Sequence, residues 1–169
     1  MLKKIYNVST YFTLLLPLFI LVYIIHKYYV NLILMDDWIF ADLFFKYLNN
    51  SLTIKDFFQL HNEHIVFFPK MLMLASALIS GFSNNIEPFI SLIILFITFI
   101  IIFIYIMRIH GFHKAILISI PISFLIFNLR QWENYLLAFQ ITFILPLPLS
   151  VFSFFMTDLF CKNPIKVKY

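Results

Sequence analysis

The chain alternates between long apolar runs and short clusters of polar residues. Three runs reach or approach the roughly 20 residues that a membrane-spanning helix needs: residues 10–29, 86–107 and 135–156. A fourth, residues 115–129, is shorter but almost pure hydrocarbon. None alternates apolar and polar residues with the period of two that a membrane β-barrel shows. The pattern predicts an all-α polytopic transmembrane protein, a single membrane domain over residues 1–169 with four spans.

A fifth apolar stretch, Ile65–Phe82, contains Pro69 and Lys70, and the distribution of basic residues decides whether it crosses. Cytoplasmic loops are enriched in Lys and Arg. If it does not cross, seven of the 12 basic residues are cytoplasmic; if it does, only three are. The seven are Lys3, Lys4, Arg108, Lys114, Lys162, Lys166 and Lys168. We therefore expect a multi-pass cell-membrane protein with both termini cytoplasmic, and an interfacial helix in an outer loop with surface helices, residues 31–85.

The amino-acid composition agrees with a membrane protein and argues against a soluble domain, a nucleic-acid-binding protein and a disulfide-rich protein. Apolar residues make up 63% of the chain and charged residues 12%, whereas soluble domains carry about 25% charged residues. The net charge of +4 is spread over loops and forms no basic patch suited to nucleic acid. The single cysteine, Cys161, excludes an internal disulfide framework. The bilayer is therefore the expected environment, and nucleic acid is not an expected partner.

In this topology three polar motifs share the outer face, each at the end of an apolar segment. The first is Met35-Asp36-Asp37-Trp38. Adjacent carboxylates repel each other unless a cation lies beside them. Asp36 and Asp37 are candidates for a general base or for ligands of a divalent metal such as Mg²⁺ or Mn²⁺. The alternative is a solvated helix N-cap followed by an interfacial tryptophan.

The second and third motifs are His61-Asn62-Glu63-His64 and Arg130-Gln131-Trp132-Glu133-Asn134. Two histidines three residues apart do not match the zinc-protease helix motif, where they are four apart. His61, Glu63 and His64 are candidate substrate-binding residues, or else histidines resting at headgroup depth. The third motif is a candidate loop for a hydroxyl-rich or phosphate ligand, or a plain polar turn. Lys70 and Arg130 are the natural partners of an anionic headgroup.

Taken in order, these motifs resemble bacterial multi-spanning glycosyltransferases of the GT-C fold, similar in plan to protein mannosyltransferases and aminoarabinose transferases. The resemblance rests on Asp36-Asp37-Trp38, on His61 to His64 followed by Phe67-Phe68-Pro69-Lys70, and on Gln131 to Asn134 followed by Phe139-Gln140. It implies an acidic motif at Asp36 and Asp37 that serves catalysis, often beside a metal. It also implies a polyprenyl-phosphate-linked sugar donor and a second outer loop that completes the site.

The length of the chain suggests the N-terminal portion of such an enzyme, since members of this class commonly have many more spans. The resemblance therefore predicts transfer of a sugar from a polyprenyl-phosphate donor to an acceptor on the outer face. The alternative is an inactive or accessory membrane subunit that works with a second membrane chain. A transporter piece is less favoured, because transporters place charges within their spans, and here the charges lie at the span ends.

Overall fold

The structure, a computed structural model, describes residues 2–81 and 86–162, without the side chains of residues 2–7, 138 and 162. Phe82 and the basic tail from residue 163 lie outside the described residues. Within them the chain forms helices connected by turns and loops, and no strand. The helices are α1 (Leu2–Tyr28), α2 (Trp38–Leu48), α3 (Ile54–Phe58), α4 (Phe67–Ser80), α5 (Glu87–His110), α6 (Phe112–Ile126), α7 (Trp132–Leu136), α8 (Ile141–Ile144) and α9 (Pro146–Lys162).

Four helical stretches are long and apolar enough to cross a membrane: Val8–Tyr28, Glu87–His110, Phe112–Leu136 and Ile141–Cys161. This confirms the predicted all-α polytopic fold. Helix α5 lies centrally and packs against α6 and α9, and α6 packs in turn against α1. Buried apolar side chains from α1, α5 and α6, together with some from the shorter helices α2, α4, α7 and α8, form the core. Small polar residues such as Ser119 and Ser123 are fully buried on α6. Small residues let the backbones of neighbouring membrane helices approach closely.

Helix α4 is too short to cross a membrane, and it buries polar side chains while exposing apolar ones. Its 14 residues span about 21 Å, against a hydrocarbon core of about 30 Å. Its exposed side includes Phe68 and Ile79, which are 66% and 82% exposed, whereas Lys70 and Ser76 are buried. Helix α4 packs against α2 and α3. A helix with this pattern is poorly suited to water on its exposed side, which agrees with the expected interfacial placement.

The fourth apolar run is not one continuous helix from residue 135. Helix α7 ends at Leu136, a 3₁₀ turn covers Ala138–Gln140, and the continuous helix α9 starts only at Pro146, after the single turn of α8. The sequence suggested a span over residues 135–156; the fourth spanning stretch in the structure begins at Ile141. The helix is interrupted where the backbone N–H of Phe139 donates a hydrogen bond to a side chain in a distant part of the chain.

Candidate functional site

The partner of that N–H is Asp37. Asp37 Oδ1 accepts a hydrogen bond from the N–H of Phe139 at 2.7 Å, across 102 residues of sequence. Its other oxygen, Oδ2, accepts from the N–H of Leu34 at 3.2 Å. The side chain is buried, and this burial raises the pKa of Asp37 even though both backbone hydrogen bonds oppose the rise. Asp37 therefore joins the connection after α1 to the connection before α8.

Asp36, the neighbouring residue, is placed differently. Its side chain is 52% exposed, and its Oδ1 lies 3.6 Å from Nε2 of His61. The preceding residue, Met35, has a φ of 49°, a left-handed conformation that costs a non-glycine residue free energy. Strained backbone of this kind clusters at functional sites. The turn thus directs one carboxylate of the pair into the protein and leaves the other accessible beside an imidazole.

His61 belongs to a tight turn that its backbone defines. The N–H of His61 donates to the carbonyl of His64, and the N–H of His64 donates back to that of His61, at 2.9 and 3.0 Å. Asn62, within the turn, has a φ of 52°, which asparagine tolerates better than most residues. Glu63 and His64 are exposed, whereas His61 is partly buried. Of the three predicted residues in this motif, the structure brings His61 to the acidic pair.

Phe139 completes the contact between the two connections. Its ring lies 4.8 Å from the His61 ring and 5.8 Å from that of Phe40, measured between centroids. His61 Nε2 is buried and has no hydrogen-bond partner among the described residues, because 3.6 Å to Asp36 exceeds hydrogen-bond distance. We refer to Asp36, Asp37, His61 and Phe139 as the acidic joint.

Two further residues beside the acidic joint were not singled out from the sequence. Glu87, in the first turn of α5, is 5% exposed, and its Oε2 has no hydrogen-bond partner among the described residues. Burial, then the negative charges of Glu87 and Asp37, raise the pKa of Tyr29. The three groups therefore lie within electrostatic range of one another. The available signal was the Glu87-Pro88 pair that opens an apolar run, because an acidic residue at a helix start favours the helix dipole.

The loop Arg130–Asn134 forms a polar surface that leads to Phe139. Arg130, Gln131, Trp132 and Glu133 are exposed, and Asn134 is partly buried. Asn128 begins the turn by accepting the N–H of Arg130 at 2.9 Å, and Asn134 donates to Gln131 Oε1 at 3.3 Å. Within the described part of the chain no hydrogen bond or ion pair links these side chains to Asp36 or His61. The loop is therefore adjacent to the acidic joint through the chain, and its polar groups remain accessible.

Lys70 has a place that the sequence did not suggest. Only 1% of the residue is exposed, and its Nζ donates to the carbonyls of Asp56 and Gln59 at 3.0 and 2.7 Å. Burial, followed by repulsion from Lys46, lowers the pKa of Lys70. These bonds hold the end of α3 against α4, so Lys70 serves packing in this arrangement and is not positioned as a headgroup partner.

Lys70 is part of a larger arrangement of charged groups. The ammonium of Lys46 lies 2.8 Å from Asp42 Oδ2 and 2.9 Å from Asp56 Oδ1. We refer to Asp42, Lys46, Asp56 and Lys70 as the lysine network. The Lys46 ammonium and the two Thr53 donors lower the pKa of Asp56 to about 2.

The divalent metal that the sequence suggested for Asp36 and Asp37 stays a prediction, and the two carboxylates differ in their accessibility to it. Mg²⁺ and Mn²⁺ take oxygen ligands from accessible carboxylates, but both Asp37 oxygens already accept backbone hydrogen bonds. Among the described residues no group of three or more His, Cys, Asp or Glu side chains is arranged to hold a metal ion. No protein-family model, curated protein or solved structure matches the chain. The functional argument therefore rests on the geometry of the acidic joint.

Proposed function

We propose that the chain is a GT-C-like membrane glycosyltransferase, or the N-terminal part of one, that uses a polyprenyl-phosphate sugar donor. The supporting observation is the acidic joint: an exposed carboxylate beside an imidazole, held at the end of a bundle with four helices able to cross a membrane. Ionisable groups at such positions are costly unless they are paired, so an incompletely paired group there is a candidate for function. The outer face is the side that the positive-inside rule predicts for this end of the bundle.

In the proposed reaction Asp36 is the general base. Its carboxylate accepts the proton of an acceptor hydroxyl while the hydroxyl oxygen forms a bond to the anomeric carbon of the sugar. The bond between that carbon and the phosphate oxygen breaks, and polyprenyl phosphate leaves with the electron pair. A positioned general base contributes about 10²- to 10⁴-fold to such a reaction.

The other residues of the site have supporting roles. His61 Nε2 lies 3.6 Å from Asp36 Oδ1, too far for a hydrogen bond, so His61 acts on the carboxylate through its dipole or charge. Asp37 is a positioning residue, because its hydrogen bonds to Leu34 and Phe139 hold the turn that presents Asp36. The exposed Arg130 offers a planar guanidinium to the donor phosphate. Glu63 and His64 are exposed next to His61 and are available to the sugar or the acceptor.

The test is sugar transfer by the purified chain in liposomes, supplied with radiolabelled polyprenyl-phosphate hexoses and an extract of bacterial membranes as acceptor. Asp36→Asn should lower the transfer rate by about 100-fold or more, since the amide cannot accept the proton. Asp42→Asn is the matched control, because Asp42 is similarly exposed, 58% against 52%, in the same connection. Protease protection of the liposomes verifies that both variants insert as the wild type does.

Two results would contradict the proposal at different points. Wild-type activity in Asp36→Asn would remove Asp36 from the chemistry while leaving the reaction in place. Absence of transfer from every donor by the wild-type chain would favour the accessory subunit. In that case a second membrane chain should co-purify with the protein and restore transfer.

A further inference from the structure

The turn between α5 and α6 lies at the opposite end of the bundle from the acidic joint. Helix α5 begins at Glu87, which is within electrostatic range of Asp37, and ends at His110. Its 24 residues cover about 36 Å, enough to cross a hydrocarbon core of about 30 Å. Gly111 alone separates α5 from α6. This turn therefore lies at the other membrane interface, which the positive-inside rule predicts to be the cytoplasmic one.

The α5–α6 turn concentrates basic side chains. Four of them, all exposed, occur between residues 108 and 114, and we refer to them as the basic turn: Arg108, His110, His113 and Lys114. No Asp or Glu occurs in the sequence between Glu87 and Glu133. Among the described residues none of the four forms an ion pair, whereas Lys46 is paired with two carboxylates. The positive charge of the basic turn is therefore available to an anion from outside the chain.

Aromatic rings of neighbouring helices hold part of the basic turn in place. The guanidinium carbon of Arg108, Cζ, lies 5.7 Å from the centroid of the Phe155 ring on α9. The Phe112 ring lies 6.2 Å from the Phe103 ring on α5 and 5.9 Å from the His113 imidazole. A guanidinium that rests on a ring keeps the N–H groups at its edge for hydrogen bonds to a planar or phosphate anion. The three helices thus present a partly ordered cation.

Exposed apolar side chains flank the basic turn and indicate the kind of anion. Ile109 and Phe112 are each 48% exposed, and Ile104 and Leu117, further along α5 and α6, are 38% and 48% exposed. A soluble anion or a nucleic acid has no use for this apolar surface, whereas a phospholipid offers a phosphate and acyl chains side by side. On α9, Asp158 adds one carboxylate, which is partly buried. Arg108 and Lys114 together still leave an excess of positive charge.

We infer that the basic turn binds the phosphate of an anionic phospholipid, whose acyl chains lie along the exposed apolar side chains of α5 and α6. The Arg108 guanidinium donates two parallel hydrogen bonds to the phosphate, and Lys114 supplies a second charge. His110 and His113 offer imidazole N–H donors to the remaining oxygens. The site lies across the membrane from the acidic joint and does not depend on the proposed enzyme.

The test is native mass spectrometry of the full chain released from detergent micelles, titrated with phosphatidylglycerol and, separately, with phosphatidylcholine. Arg108→Gln/Lys114→Gln should weaken the binding of the first phosphatidylglycerol by about tenfold or more, since each basic residue near a headgroup strengthens binding by about fivefold. Lys27→Gln/Arg130→Gln is the matched control, because it removes two exposed basic residues from the other end of the bundle. Its affinity should change by less than about twofold, since those residues lie more than a Debye length from the basic turn.

Arg108→Lys keeps the charge and should bind phosphatidylglycerol within about threefold of the wild type, which separates loss of the site from loss of the fold. Three results would overturn the inference: wild-type affinity in Arg108→Gln/Lys114→Gln, an equal loss in the control, or equal binding of phosphatidylcholine by the wild type. Displacement of the lipid by soluble glycerol phosphate would assign the basic turn to a soluble phosphate instead and would also overturn it. None of these results bears on sugar transfer, which is measured separately through Asp36.

Discussion

The charged residues of the acidic joint and those of the lysine network lie in the same connection between α1 and α5, but the charges are arranged differently. In the lysine network Lys46 lies between Asp42 and Asp56, and Lys70 donates to two carbonyls. Two ammonium groups therefore accompany two carboxylates at short distances. Each charge has a partner, as expected where the function of the charges is to hold the helices together.

At the acidic joint the charges are not matched. Asp36 and Asp37 are adjacent, and Glu87 lies within electrostatic range of Asp37. Among the described residues, His61 is the one basic side chain with an ion-pair distance to these carboxylates below 4 Å. Such an excess of one sign in a partly buried place costs stability, and burial together with the neighbouring charge of Asp36 raises the pKa of Asp37. Sites that keep this imbalance are candidates for chemistry, whereas matched sets are candidates for structure. The charge balance thus distinguishes a candidate catalytic cluster, the acidic joint, from a structural one, the lysine network.

Among the variants that test this comparison, we expect the largest effect on stability from Asp37→Ala. The change removes both backbone acceptors of the joint and leaves the buried N–H of Phe139 without a partner. We expect a loss of about 2–3 kcal/mol in the free energy of unfolding, measured by denaturant titration in detergent. Asp36→Ala is the matched control, because Asp36 is exposed and should change stability by less than about 0.5 kcal/mol. Equal losses in the two variants would show that the hydrogen bond to Phe139 does not hold the fold.

A smaller effect is expected in the lysine network from Lys70→Met. Methionine keeps the packing volume but leaves the carbonyls of Asp56 and Gln59 without their donor. Since the change also removes a buried charge, the net loss should be about 1–2 kcal/mol. Lys55→Met, at an exposed lysine in α3, should have almost no effect. If Lys70→Met instead left stability unchanged but abolished sugar transfer, Lys70 would return to the role in headgroup binding that the sequence suggested.

The same comparison indicates what the sequence could predict. Long apolar runs identify spanning helices because a backbone in lipid must satisfy its hydrogen bonds internally, and the structure has four helical stretches that are long and apolar enough to cross a membrane. Helix α4 was separated from them by Lys70, Pro69 and the distribution of basic residues. The expected topology put the polar motifs on one face, and in the structure Asp36 Oδ1 and His61 Nε2, from two of these motifs, lie 3.6 Å apart.

Pairings between distant residues could not be predicted. The fourth run looks like one helix from residue 135 because nothing in its composition shows that the N–H of Phe139 bonds to Asp37. Asp36 is exposed and Asp37 is buried because of the backbone conformation of the turn at Met35, and no local sequence pattern specifies that conformation. Lys70 resembles a headgroup partner in the sequence, whereas its burial depends on α3 folding back over α4.

The smallest effect that we expect is a difference in pH dependence between the two regions. Burial raises the folded-state pKa of Asp37 above its unfolded value, so its contribution to stability is largest below that value. It is lost as the pH rises through the folded pKa. The pKa of Asp56 is lowered to about 2, so its contribution is present above about pH 4 and is lost as the pH falls towards 2. The free energy of unfolding, measured against pH, should lose its decrease towards high pH in Asp37→Asn. It should lose its decrease towards pH 2 in Asp56→Asn. The same slope in both variants would mean that the joint and the network do not differ in charge balance.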